Sequence, residues 1–239
     1  MKTGIYEMTE KEFKDEDALT IDDIKLLMKS PMHYFSNVNK KTDKETIFLE
    51  AIKRAILDPE GFDNVYLKGE RKSEFPLKRN DYTAIEIIRR NVNTTIFEKL
   101  LDRKNKLTLI NRCYFWKDEI NLILCKAMIP CVVIGNWIID FILTDNAKAE
   151  NFKQEVKEKN LAVDAAFLYD GVKLSSGAVP NTYILFAIER EFPHAVNHFY
   201  FSHTTLDRAR ITYTNAITQF AASLATNTWP GYSEKLIEL

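Results

Sequence analysis

Apolar side chains recur at three- and four-residue intervals through the first hundred residues, the spacing of helices with one buried face. Ile24, Leu27 and Met28 form a short stripe behind an N-cap at Thr20-Ile21-Asp22-Asp23, and Ser30-Pro31 ends it, because the residue before proline avoids helical angles. A polar loop containing Asn37, Asn39, Lys40, Lys41, Asp43 and Lys44 follows. A second helix then runs from about Lys44 to Leu57, with Ile47, Phe48, Ala51, Ile52, Ala55 and Ile56 on one side. Asp58-Pro59-Glu60-Gly61-Phe62 supplies the turn residues that stop it. Residues 63–80 read as irregular. A helix from about Asp81 to Val92 carries Ile85, Ile88 and Val92 in phase, and a short one covers Thr95 to Leu101.

The period then shortens to that of strands. Leu107–Trp116 and Ile120–Met128 flank a hairpin-like Lys117-Asp118-Glu119, and Val132–Ile134 and Trp137–Leu143 flank Gly135-Asn136, giving an antiparallel meander. Phe152 to Tyr169 returns to helical spacing, and Asp170–Asn181 reads as a loop. Two further strands, Thr182–Glu189 and Ala195–Phe201, precede a last helix that starts near Thr204 or Thr205 and carries Leu206, Tyr213, Ile217, Phe220 and Leu224. Helices, meander, helix, strands and helix in this order predict an α+β chain with one central mixed sheet. Residues 1–18 are polar and mostly acidic and read as a loose arm. Residues 19–239 form one domain, with a helical part at 19–106 and the sheet core at 107–239.

Charge changes this picture only locally. The formal net charge of -1 over 239 residues argues against a uniformly basic surface. Between Lys68 and Lys106, however, eleven basic residues, Arg89 and Arg90 among them, face six acids. Such an excess can face phosphates as well as solvent. Cys113, Cys125 and Cys131 are odd in number and irregularly spaced, which suits free thiols better than a disulfide framework or a zinc site. No stretch has signal-peptide or membrane-spanning character, so the expected location is cytoplasmic, in a bacterial or phage-infected cell.

The candidate chemistry centres on Asp140, a lone acid inside the apolar run Trp137–Leu143, where a carboxylate is costly unless a cation, proton or donor holds it. Several separated stretches around it resemble the RecE-type exonucleases (exonuclease VIII), phage recombination nucleases of the PD-(D/E)XK superfamily. They are Ser30-Pro31-Met32-His33-Tyr34, Ala55-Ile56-Leu57-Asp58-Pro59-Glu60-Gly61-Phe62, Tyr114-Phe115-Trp116 and Cys125-Lys126-Ala127. Ile138-Ile139-Asp140-Phe141 with Thr144-Asp145-Asn146-Ala147, Ala165-Ala166-Phe167-Leu168-Tyr169 and Trp229-Pro230-Gly231-Tyr232 complete the series. The resemblance covers most of the chain and implies a nuclease-like central mixed sheet flanked by helices, with an N-terminal helical segment.

It also implies a site that this chain has lost. The family's helix histidine falls on Lys53, its glutamate before the "F-W" strand on Asn111, and its first metal-binding aspartate on Pro130 or Cys131. Its arginine falls on Met128, the lysine two residues after the second aspartate on Ile142, and the glutamine of "Q-A-A" on Asp164. Asp140 alone remains to hold a metal, so no cofactor is expected, and magnesium only if a nuclease site still functions. The leading expectation is a catalytically inactive pseudonuclease that binds DNA, with Lys53, Lys126, Arg89 and Arg90 on phosphates, or binds a recombination, replication or defence protein. One alternative is an active exonuclease with a migrated site built from Asp140, Asp164, Asp145 or Glu119 with Lys126. The other is a phage-encoded inhibitor or decoy that binds a protein. The resemblance further implies a homo-oligomer, since active relatives form rings around DNA. No membrane partner is expected.

Overall fold

The computed structural model describes residues 2–36, 44–67, 76–101 and 106–232. The elements run β1 (Gly4–Tyr6), α1 (Glu10–Asp15), α2 (Ile21–Lys29), α3 (Pro31–Ser36), α4 (Lys44–Leu57), α5 (Pro59–Phe62) and a π-helical turn at Asp63–Leu67. They continue with α6 (Arg79–Asn93), α7 (Phe97–Leu100), β2 (Thr108–Lys117), β3 (Leu124–Val133), β4 (Trp137–Thr144), α8 (Ala149–Glu158), α9 (Leu161–Ser176), β5 (Thr182–Glu189), β6 (Val196–Tyr200) and α10 (His203–Thr226). The strands form one sheet in the order β1-β2-β3-β4-β5-β6. Only β4 and β5 are parallel, joined by the crossover through α8 and α9. This is the mixed sheet expected from the pattern, flanked by helices on both faces.

Alternation along the strands divides the apolar residues between two cores. One face, with Tyr114, Trp116, Ile138, Tyr183 and Leu185, packs against α2, α9 and α10. The other, with Ile139, Phe141, Leu143, Phe186 and Ile188, packs against Ala51, Ile52, Ala55 and Ile56 of α4 and Ile85, Ile88 and Val92 of α6. The β2–β3 turn is built by Asp118. Its buried carboxylate accepts from the backbone N–H groups of Ile120, Asn121 and Ile123, replacing the ladder where the chain reverses.

Several boundaries differ from the sequence expectation. The loose arm at 1–18 instead contributes an edge strand: Gly4, Ile5 and Tyr6 pair with Phe115, Tyr114 and Cys113 of β2. A capping box between Thr9 and Glu12 then starts α1. Ser30-Pro31 ends one helix but also starts the next, since proline is tolerated in a first turn. Val132–Ile134 is not a separate strand, because β3 passes through Pro130 to Val133. The helix expected from Phe152 to Tyr169 is two helices, broken at Asn160 in the left-handed region with φ 53°. The second runs past Asp170 to Ser176 and stops at Gly177, φ 72°. The polar stretch at 37–43, residues 68–75 and residues 102–105 lie outside the described residues. No helix among the described residues is long and apolar enough to cross a membrane.

Candidate functional site

The sheet opens at one place. β3 and β4 pair only through Cys131–Ile139, Val132–Ile138 and Val133–Trp137, and the ladder stops one residue short of Asp140. The opening coincides with a kink in β2 and β3. Asn111 lies in the left-handed region with φ 50°, and opposite it stands Pro130, which has no N–H to donate. Before the kink Ile129 faces the α9 side of the sheet; after it Cys131 faces α4. Before the kink, from Leu124 to Ile129, β3 stays paired with β2 and makes no ladder with β4.

Asp140 sits at this split, 18% exposed. In register with Leu185, it shares the α9 face with Ile138 and Tyr183. Three donors hold its carboxylate. Lys53 Nζ, from α4, lies 2.6 Å from Oδ1, and the Phe141 backbone N–H, past the end of the β3 ladder, donates to the same oxygen at 2.7 Å. The Tyr183 hydroxyl donates to Oδ2 at 3.0 Å. Burial and the nearby Asp140 and Asp164 carboxylates push the Tyr183 hydroxyl well above its usual pKa, so it remains a donor.

Asp164, on the first turn of α9, is a second acid that feels the charge of Asp140. Its Oδ2 accepts from Lys25 Nζ of α2 at 2.7 Å, while its buried Oδ1 has no hydrogen-bond partner. Burial raises its pKa to about 6; Lys25 pulls it down, and Asp140 adds to the rise. Each carboxylate therefore carries its own lysine.

On the α4 side the opening leads into a cleft of about 1320 Å³. Lys53, Arg54 and Asp58 line one wall, Asn111, Arg112, Met128 and Pro130 form the floor, and residues 7–11, 14 and 15 close the third side. Four positions where the resemblance put active residues, Lys53, Asn111, Met128 and Pro130, thus border one cavity without carrying that chemistry.

Residues 21–237 match the family described as DUF3799, a PDDEXK-like domain of unknown function. The chain belongs to this family. A crystal structure from Eubacterium rectale bearing the name "Putative exonuclease" superposes with a TM-score of 0.67 at 8% identity, over 98% of this chain and 97% of that one. At that identity the likeness is one of fold, and it is a PD-(D/E)XK nuclease-like fold. A second structure, described as SSO0001, reaches a TM-score of only 0.30 at 13% identity, over 80% of this chain and 83% of that one, and carries no argument. No curated protein matches the chain.

Nucleases of this superfamily use magnesium, which takes near-octahedral oxygen ligation from carboxylates, substrate phosphate and water. The donor set of this member does not fit. At the split an ammonium already stands on Asp140. Asn111 and Pro130, where the resemblance puts carboxylates, line the cleft without an acid, and Cys131 is fully buried. Among the described residues no three His, Cys, Asp or Glu side chains converge.

The remaining candidates scatter. Lys126, expected as the cation beside Asp140, lies instead beneath α1, its Nζ donating to the carbonyls of Phe13 at 2.6 Å and Glu16 at 2.5 Å. Glu119 is exposed beyond Lys117, which pairs with Leu124, six residues from Pro130 and so about 20 Å away along β3. Asp145 is exposed and paired with Arg190 at 2.6 Å. Neither joins Asp140. Arg89 pairs with Glu86 on α6, and Arg90 is exposed. Sequence reasoning missed Tyr183 and Lys25. Tyr183 becomes visible only when β5 is laid parallel to β4, as Asp140's diagonal neighbour.

Proposed function

We propose that this PDDEXK-like domain is a RecE-like pseudonuclease, of phage or mobile-element type, that binds nucleic acid without cutting it. The observation that carries the reading is the Lys53–Asp140 ion pair at 2.6 Å, which puts a fixed ammonium on the last acid of the expected metal site. Cleavage in this fold also needs a group that positions and activates water. The lysine expected two residues beyond Asp140 is Ile142, a half-buried apolar side chain packed at the edge of the α9 core. Loss of one member of a cooperative site costs on the order of 100-fold. Here several are replaced together.

The binding half of the reading is supported by the cations that remain. Lys53, Arg54 and Arg112 line the cleft, and Lys78, Arg79, Arg89 and Arg90 lie at or on α6. Phosphate neutralisation by such groups makes affinity fall steeply with salt. An anisotropy titration of labelled single- and double-stranded DNA at about 50 and 200 mM salt tests this. Salt-sensitive binding to either supports it, and the absence of binding to both at low salt refutes it.

A further inference from the structure

The N-terminal segment covers one face of the diverging β2–β3 hairpin. Cys113 and Phe115 of β2 are fully buried, yet neither belongs to the two cores. The Phe115 ring meets Tyr6 at 5.7 Å and Phe13 at 6.0 Å, both edge-on. Lys126, on the same face of β3 as Met128 of the cleft, is 5% exposed. Its ammonium stands 4.7 Å over the Phe13 ring and donates to the Phe13 and Glu16 carbonyls, with a longer contact of 3.4 Å to Lys14 O. Arg112 pairs with Glu7 at 2.9 Å.

The segment itself is lightly held. β1 has three residues and α1 has no buried residue. Its far end is fixed: Leu19 N–H donates to Leu124 O, and Lys126 N–H donates to Leu19 O. The family match begins at residue 21, so residues 2–18 lie before it. Six acids (Glu7, Glu10, Glu12, Asp15, Glu16, Asp17) against three bases (Lys2, Lys11, Lys14) make the segment anionic.

We propose that residues 2–18 are an acidic strap lying in the binding surface for single-stranded nucleic acid, where its acids stand in for phosphates and Phe13 for a base. Lifting the strap about the Leu19 anchor releases Arg112 from Glu7, at the cleft that Lys53 and Arg54 also line, and uncovers Lys126 with its cross-strand neighbour Phe115 as a stacking platform. Cations tracking a backbone, with an aromatic for the bases, are the elements of single-strand recognition. The strap is thus a built-in competitor. The inference rests on the nucleic-acid reading above and adds its location and control.

Two full-length variants test it. In E7Q/F13A/D15N the strap loses two charges and its ring. In Y6C the new thiol stands opposite Cys113 across the β1–β2 ladder, within disulfide reach, so oxidation pins the strap and reduction frees it. Binding is read by anisotropy with a labelled single-stranded DNA of about 20 nucleotides, longer than one such surface occupies. The triple variant should bind about 10-fold tighter than wild type, with a steeper salt dependence. Oxidised Y6C, its disulfide verified by mass, should bind more weakly than the same protein reduced. Equal affinity of the triple variant and wild type, with equal affinity of oxidised and reduced Y6C, overturns the strap and leaves the nucleic-acid reading standing. No binding by any form overturns both.

Discussion

Lys53 and Asp140 lie 87 positions apart in the chain and 2.6 Å apart in the fold, joined where the β3–β4 ladder gives out. With side chains 22% and 18% exposed, the pair is largely withdrawn from solvent. Breaking such a pair from one side leaves a charge without its partner. Lys53→Met should destabilise the protein by about 2–4 kcal/mol. Asp140→Asn should cost less, since Lys53 can turn toward the cleft and water. Urea midpoints of both single variants and the double variant check this. Strict additivity of the two would contradict a direct coupling.

Asp164 makes stability depend on pH in a direction opposite to most acids. Its folded pKa of about 6 lies above the ordinary carboxyl value of 3.8, so the fold favours the protonated form. Its contribution is fully present below about pH 4 and is lost as pH rises through about 6. Asp164→Asn should therefore be more stable than wild type at pH 7.5, by about 1–3 kcal/mol, with the difference closing below pH 4. Urea midpoints between pH 4 and pH 8 test this. A wild-type advantage at neutral pH would mean that the Lys25 pair outweighs burial.

Asp170 is a buried acid with a different purpose. Arg210 of α10 grips both its oxygens, at 2.6 and 2.8 Å, and the Tyr213 hydroxyl donates to Oδ2. The cluster ties α9 to α10 and lies away from the cleft. Arg210→Met should lower stability by about 2–4 kcal/mol and leave nucleic-acid affinity unchanged. Thermal melts and the anisotropy titration together separate these effects.

Gly171 is where α9 meets the Trp116 ring of the sheet. A Cβ there would stand 2.7 Å from the Trp116 ring, which itself packs tilted against Phe167 with ring centroids 4.8 Å apart. Gly171→Ala should cost about 1–3 kcal/mol despite alanine's better helix propensity. A neutral or stabilising effect in urea unfolding would show that the Trp116 ring has room to shift.

The same two residues show what sequence could and could not disclose. Asp170-Gly171 reads as a turn because a charge and a glycine rarely fall inside an apolar helix. The reason they do lies about forty positions away in Arg210 and Tyr213. The strands were legible as short apolar runs between turn residues, as in Thr182–Glu189, whose two faces enter the two cores. The arm was not: β1 is too short for a pattern, and its order comes from Phe115 and Lys126 on the sheet. Asp140 stood out as a lone acid in an apolar run. Its partner did not, since Lys53 and Lys126 are equally plausible as cations until the topology puts one at the split and the other under α1.

Cleavage and binding can be read from one sample. End-labelled linear duplex DNA and its separated strands, incubated at neutral pH with the protein and magnesium or manganese, are run on a native gel and then on a denaturing gel. A shifted band whose strands keep full length is the predicted result. Metal-dependent shortening that disappears in Asp140→Ala would contradict the account and make Asp140 a catalytic ligand.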